Sequence, residues 1–180
     1  MFPQLEQGLN ITLTIITSII ITWFALLFVN LAFFFFFRAI LKKHAKAMTV
    51  ILNAKYENTK KLFDLMKTYE VEVEEKVITA LNSINPKTFN NHDDKEAEET
   101  RAVLAYLKDE ANFIANRNKD KLDKADFQLA KANVLELDSQ YRNNVVMYNA
   151  DVLGYNYWIT FLPCRFIFKI CRVKKKKIIG

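Results

Sequence analysis

The chain has 180 residues, of which 51% are hydrophobic and 26% charged, and a formal net charge of +6. This length suits one compact unit together with an anchor. With only three glycines and two histidines, and with Cys164 and Cys171 seven positions apart, the composition disfavours a phosphate-cradling loop, a zinc site and a redox cysteine pair.

The first feature along the chain is an uncharged apolar run of 31 positions between Glu6 and Arg38. A bilayer core about 30 Å thick needs roughly 20 helical residues, so the run is long enough to cross it. It lacks the basic start and small-residue cleavage site of a signal peptide. The sequence therefore predicts a short extracytoplasmic segment, 1–8, and a single transmembrane helix, 9–37.

Basic residues follow this run at once, whereas its other flank has no Lys or Arg. The first acid after the run is Glu57, and the preceding group comprises Arg38, Lys42, Lys43, His44 and Lys46. Because positive residues favour the cytoplasmic side, we expect a single-pass cell-membrane protein with residues 38–180 in the cytoplasm. Lys42 and Lys43 are expected to contact lipid or an acidic partner.

Small and hydroxyl side chains recur every four residues within the apolar run, at Asn10, Thr14, Ser18 and Thr22. Such a stripe allows two membrane helices to approach closely and to hydrogen-bond across the contact. It predicts self-association through Thr14, Ser18 and Thr22. The alternative, that each hydroxyl bonds back to its own helix, is equally compatible with the spacing.

From Arg38 to Ile84 there is no Pro or Gly, and apolar residues recur at helical spacing with a polar gap at 55–59. This pattern predicts one helix that continues the membrane helix without a joint and ends at Asn85-Pro86. The stripe comprises Met48, Ile51, Leu52, Leu62, Leu65, Met66, Tyr69, Val73, Val77, Ala80, Leu81 and Ile84. The acidic residues Glu70, Glu72, Glu74 and Glu75 are interpreted as a solvated face of this helix.

Turn-forming residues then define a loop over 85–94. Asp93 or Asp94 is expected to cap the next helix. The triplet His92-Asp93-Asp94 could in principle bind a metal, but three adjacent loop residues do not make a coordination geometry. No metal and no cofactor is predicted.

Residues 95–153 again contain no Pro or Gly, and their second half predicts a coiled-coil-like seam. The seam residues step by threes and fours: Phe127, Ala130, Val134, Leu137, Tyr141, Val145, Tyr148, Val152 and Tyr155. If 95–153 is one helix, the tail returns toward the bilayer. If a turn near 109–119 divides it, the tail starts far from the membrane and a short fourth helix has to bring it back. We favour the divided form.

The C-terminal tail, 156–180, combines aromatic and basic residues, with seven Lys and Arg and no acid between Arg165 and Lys177. Tyr157, Trp158 and Phe161 suit a membrane interface. Lys174, Lys175, Lys176 and Lys177 are expected to bind lipid or an acidic partner, because a membrane is already adjacent. The same charges could bind nucleic acid, which is the less favoured reading.

Two segments resemble the LemA family. Tyr141-Arg142-Asn143-Asn144-Val145-Val146-Met147-Tyr148-Asn149 is similar to that family's paired-tyrosine, Tyr-Asn signature, and Leu62-Phe63-Asp64-Leu65-Met66-Lys67-Thr68-Tyr69 to its Leu-Val-x-x-Val-Lys-x-Tyr segment. The chain departs from the family at Tyr155-Asn156, where Phe-Pro is usual. The resemblance implies an antiparallel helical bundle on a membrane anchor, and it carries over no catalytic residue.

We therefore predict an all-α protein in which a single N-terminal transmembrane helix continues into an elongated antiparallel bundle, 38–155. Three long helices are expected, with a short fourth as an alternative. The residues expected to pack the bundle are Leu62, Tyr69, Tyr141, Val145, Tyr148 and Asn149.

The predicted function is that of a non-enzymatic membrane scaffold or adaptor that self-associates and presents its bundle to an unidentified protein partner. The alternatives are an accessory subunit of a membrane enzyme or transporter and a module that binds anionic lipid. The abundance of Lys, Asn, Ile and Phe indicates an AT-rich bacterial genome.

Overall fold

The structure is a computed structural model, which describes residues 3–90, 95–161 and 164–179. These residues form an all-α fold and contain no strand. The α-helices are α1 (Pro3–Thr68), α2 (Glu75–Ser83), α3 (Lys95–Arg117), α4 (Lys119–Leu122), α5 (Ala125–Thr160) and α6 (Arg165–Ile170). A 3-10 helix, Pro86–Asn90, lies between α2 and α3.

The chain forms two compact units. The first comprises Met1–Leu41 and Ala150–Lys176, and the second comprises Lys42–Asn149 and Lys177–Gly180. Helices α1 and α5 each contribute residues to both units. The main hydrophobic core belongs to the second unit and is built by α1, α2, α3 and α5 around Met66, Leu104, Leu107 and Phe127.

Helix α1 runs unbroken for 66 residues, from Pro3 to Thr68. Proline is well suited to a first helical turn, where its missing N–H leaves no hydrogen bond unmade. The absence of any later Pro, and of any Gly after Gly8, allows the long helix. The prediction that the apolar helix continues without a joint is confirmed.

The predicted extension of this helix to Ile84 is wrong. The chain leaves the helix in a Schellman turn, in which Val71 N donates to Met66 O at 2.9 Å and Glu70 N to Lys67 O at 3.2 Å. Glu70 occupies the left-handed position at φ 52°, which is usually filled by glycine. Residues 71–74 are non-helical, so the predicted acidic helix face does not form.

Replacing Glu70 with glycine is expected to raise the free energy of unfolding by about 1 kcal/mol, because glycine adopts positive φ without steric cost. Thermal unfolding of the detergent-solubilised protein, followed by circular dichroism, measures the change. Glu72→Gly is the matched control: Glu72 has no positive φ, and glycine there only increases unfolded-state entropy. Equal losses of stability in both variants would contradict this assignment.

The segment after α2 is an anchored turn. Helix α2 buries Val77 and Leu81, and the 3-10 helix buries Phe89 completely. The Thr49 hydroxyl on α1 donates to the Phe89 carbonyl at 3.0 Å. Residues 91–94 lie outside the described residues, so the predicted caps Asp93 and Asp94 are not placed.

Residues 95–153 do not form one helix but are divided between α3, α4 and α5. This is the divided form favoured from the sequence. Helix α3 ends at Arg117, and the single turn of α4 and residues 123–124 separate it from α5. The reversal coincides with the poorly patterned, polar sequence between Asn116 and Asp126. Helix α3 buries Leu104, Leu107, Ala111 and Ile114 on one face.

The predicted seam of α5 is confirmed by burial. Six of its nine residues are buried and three are half-buried; the buried ones are Phe127, Ala130, Val134, Tyr148, Val152 and Tyr155. Side chains spaced three and four residues apart lie on one face of a helix, and this face of α5 packs against the neighbouring helices.

The tail does not begin far from the apolar helix, so that expectation for the divided form is wrong. Helix α5 continues to Thr160, and within the first unit Trp158 stacks on Phe33 of α1 with ring centroids 4.5 Å apart. The expectation failed because it treated 38–84 as one helix. After the turn at Glu70 the chain returns along α1, where Phe89 contacts Thr49, and this further pass was not predicted.

Candidate functional site

The apolar part of α1 is almost entirely exposed. Every residue from Gly8 to Val29 is exposed except the half-buried Leu27, and the first buried residue after Gly8 is Asn30. Within the described chain, this is the one helix long and apolar enough to cross a membrane, judged by length and composition. A soluble helix of this composition would be buried in a core, so this surface requires a partner or a non-aqueous solvent.

The predicted self-association stripe lies on this surface. The Thr14 hydroxyl donates to Asn10 O and the Thr22 hydroxyl to Ser18 O, both at 2.8 Å. These hydrogen bonds lie within the same helix, as the alternative to self-association predicted. The small side chains of Ser18 and Thr22 also leave a shallow groove of about 340 Å³ beside Trp23.

One face of the end of the apolar run is covered by aromatic packing within the first unit, whereas Phe35 and Phe36 remain exposed. Phe34 contacts Phe168 of α6 with ring centroids 4.6 Å apart. A Cβ atom on Gly154 of α5 would lie 2.6 Å from the Phe37 ring. A side chain at position 154 would therefore require the Phe37 ring to shift.

Polar contacts join Phe161 and Cys164, which lie between α5 and α6, to α1. The Cys164 thiol lies 3.6 Å from Leu27 O, and the Asn30 side-chain amide donates to Phe161 O at 3.4 Å. Asn30 is fully buried, and its Oδ1 has no hydrogen-bond partner among the described residues. Residues 162 and 163 lie outside the described residues.

Two asparagine side chains of α5 bind the extended tail. Within the first unit, Asn156 accepts from Lys176 N and donates to Lys176 O, both at 2.9 Å. Within the second, Asn149 makes the same pair of bonds with Ile179, both at 2.8 Å. Each asparagine amide thus makes the pair of backbone hydrogen bonds that a neighbouring β-strand would make. Asn156 was not among the predicted site residues.

All six lysines predicted to contact lipid or an acidic partner are exposed: Lys42, Lys43, Lys174, Lys175, Lys176 and Lys177. Asn156 binds main-chain atoms of Lys176, within the run 174–177.

A buried ion pair crosses the core of the second unit. Lys55 of α1 donates to Asp138 of α5, and only 5% and 11% of their side chains are exposed. Lys108 of α3 approaches the same carboxylate at 3.3 Å. Burial by itself would raise the pKa of Asp138, but the hydrogen bond and charge of Lys55, followed by Lys108, hold it below its ordinary value.

This pair was not predicted, although the sequence contains a signal for it. Lys55 and Thr59 continue the three-four spacing of Leu52 and Leu62, so the polar gap lies on the buried face. Asp138 fits the seam equally well, four residues after Val134. The Thr59 hydroxyl is buried and has no partner among the described residues.

The residues predicted to pack the bundle differ in how deeply they are buried. Leu62 and Tyr148 are buried, whereas Tyr141 and Val145 are half-buried. The Tyr69 hydroxyl donates to Asp126 at 2.6 Å. That hydrogen bond to a carboxylate raises the pKa of Tyr69 and lowers that of Asp126.

No group of three or more His, Cys, Asp or Glu side chains within the described ranges is arranged to hold a metal ion. The triplet His92-Asp93-Asp94, considered above as metal ligands, lies outside those ranges. The described residues thus define an all-α protein with one candidate membrane helix. No protein-family model, curated protein sequence or solved structure matches the chain.

Proposed function

We propose that this protein is a non-enzymatic membrane scaffold, similar to LemA-family proteins, in which residues 9–37 anchor a cytoplasmic helical bundle. The observation that carries this proposal is the uncovered apolar surface of α1 between Gly8 and Val29. Burying that surface in lipid removes its contact with water. The same helix, α1, contributes residues to the core of the second unit.

An antiparallel arrangement of α1 and α5 is supported by the order of their contacts. Along α5, Asp126 contacts Tyr69 of α1, and Asp138, further along, contacts Lys55, earlier in α1. Partners that move in opposite directions along the two helices are typical of antiparallel packing.

The anchoring is tested on membranes from cells that produce the full chain. We expect it to remain with the membranes after alkaline extraction, to be released by detergent, and to place a reporter fused after Gly180 in the cytoplasm. Release into aqueous extract without detergent would overturn the anchor, and an external reporter would overturn the orientation.

Self-association is tested by cross-linking of the full chain in membranes. Ser18→Leu is expected to reduce cross-linked dimers severalfold, because leucine fills the groove beside Thr22 and separates the two helices. Thr17→Leu is the control, since residue 17 lies about 100° from residue 18 around the helix. Equal cross-linking in both variants would argue against the stripe as the contact.

The intact particle distinguishes the scaffold from the accessory-subunit alternative. Mass measurement after purification in mild detergent is expected to give a multiple of the single-chain mass. A stable complex with a different, catalytically active protein would instead favour an accessory subunit.

A further inference from the structure

The segment from α6 into the tail carries an exposed cationic and apolar surface that the proposed scaffold role does not use. Arg165, Lys169 and Arg172 are exposed. So are Phe166 and Ile170, with 67% and 81% of their surfaces accessible. No acidic residue follows Asp151 in the printed sequence. We call these five residues, Arg165, Phe166, Lys169, Ile170 and Arg172, the α6 surface.

Packing within the first unit fixes the position of the α6 surface along α1. Cys164, just before α6, contacts Leu27 O, and Phe168 packs on Phe34. Helix α6 therefore lies beside residues 27–34, at the end of the uncharged run. A Schellman turn, with Arg172 at φ 54° and Val173 N donating to Phe168 O at 2.9 Å, then redirects the chain.

The length of the uncovered helix relates this position to a bilayer. Gly8–Val29 spans 22 residues, or about 33 Å at about 1.5 Å per residue. That length matches a hydrocarbon core about 30 Å thick. From Asn30 onward the run is covered on one face, which includes the buried Phe34, while Phe33, Phe35 and Phe36 stay exposed on the other. With Gly8–Val29 in the hydrocarbon core, this partly covered part falls at the level of the lipid headgroups, together with α6.

We propose that the α6 surface binds the headgroups of anionic lipids at the inner end of the apolar helix. The inference rests on the proposed anchoring. Three cations meet negative headgroups, while Phe166 and Ile170 enter the adjoining acyl region, as in interfacial segments that combine charge with apolar side chains. The occupant follows from this charge complementarity and from the continuity of the surface with the lipid-facing part of α1.

The test measures lipid selectivity of the full chain reconstituted in phosphatidylcholine bilayers that contain spin-labelled lipids. We expect phosphatidylglycerol to associate with the protein about threefold more strongly than phosphatidylcholine at low salt. This preference should fall as salt screens the charges. Combined Arg165→Gln, Lys169→Gln and Arg172→Gln substitutions should remove most of it.

The matched control replaces three exposed lysines of α1 in the second unit, Lys60, Lys61 and Lys67, with glutamine, and should keep the preference. An unchanged preference in the α6 variant, or an equal loss in the control, overturns the inference. The inference is also overturned if the α6 substitutions abolish binding of a DNA oligonucleotide and leave lipid selectivity intact.

A second readout uses Cys171, the exposed cysteine at the end of α6, whereas Cys164 is buried. A nitroxide on Cys171 is expected to collide with oxygen and with a water-soluble nickel chelate at rates typical of the headgroup level. Water-like collision rates in a chain that remains inserted overturn the lipid site and leave the anchor standing. Failure to insert at all overturns the proposed function itself.

Discussion

Replacing Asp138 with alanine is expected to lower the free energy of unfolding by about 3–5 kcal/mol, because the buried Lys55 ammonium would lose its partner. Asp138 is the carboxylate shared by Lys55 and Lys108. Chemical denaturation of the detergent-solubilised protein, followed by circular dichroism, measures the loss.

Glu136→Ala is the control for this substitution. Glu136 is exposed on the same helix and accepts a hydrogen bond from Gln140 at 2.9 Å, so its loss is expected to cost less than about 0.5 kcal/mol. The double change Lys55→Met with Asp138→Leu should recover most of the stability, since apolar residues often replace a buried pair without loss. Equal costs for the Asp138 and Glu136 variants would contradict a buried pair.

The same pair determines a response to acid. The pKa of Asp138 is lowered in the folded state, so its contribution is fully present above the unfolded value of about 3.9. It is lost as pH falls through the lower, folded pKa. The double variant should therefore lose less stability than the wild type below about pH 4.

Replacing Phe89 with alanine is expected to cost about 3–5 kcal/mol of unfolding free energy, because a fully buried aromatic side chain would leave a cavity. Phe89 is 0% exposed and belongs to the core built by α1, α2, α3 and α5. The same denaturation experiment measures the effect.

Phe113→Ala is the control for Phe89→Ala. Phe113 is 56% exposed, and the Arg117 guanidinium lies 5.5 Å from its ring centroid. Losing that contact at an exposed site is expected to cost about 0.5–1 kcal/mol. If the two alanine substitutions lower the free energy of unfolding equally, Phe89 does not anchor the segment after α2.

Local sequence patterns predicted those features that depend on neighbouring residues. The uncharged run before Arg38 was sufficient to predict the apolar helix, and the absence of Pro and Gly predicted its continuation. The three-four spacing from Phe127 to Tyr155 predicted the buried face of α5. These features follow from helix geometry, which relates residues only a few positions apart.

The reversal after α1 was not predictable in this way. The left-handed position of the Schellman turn holds Glu70, so neither glycine nor proline marks it. The loop 85–94 was predicted as a connection, but its Phe89 is a core residue, because burial depends on what the segment packs against. The error at Glu70 also produced the wrong expectation for the tail.

By itself, the sequence determined the all-α class, the single apolar helix and the buried face of α5, since each is a periodic or compositional property of one segment. Only the tertiary structure decided that Lys55 pairs with Asp138, 83 residues away, and that Asn156 binds the tail. It also decided that α6 packs beside Leu27 and Phe34. These contacts depend on which helix faces meet after the chain reverses, and no local spacing encodes that choice.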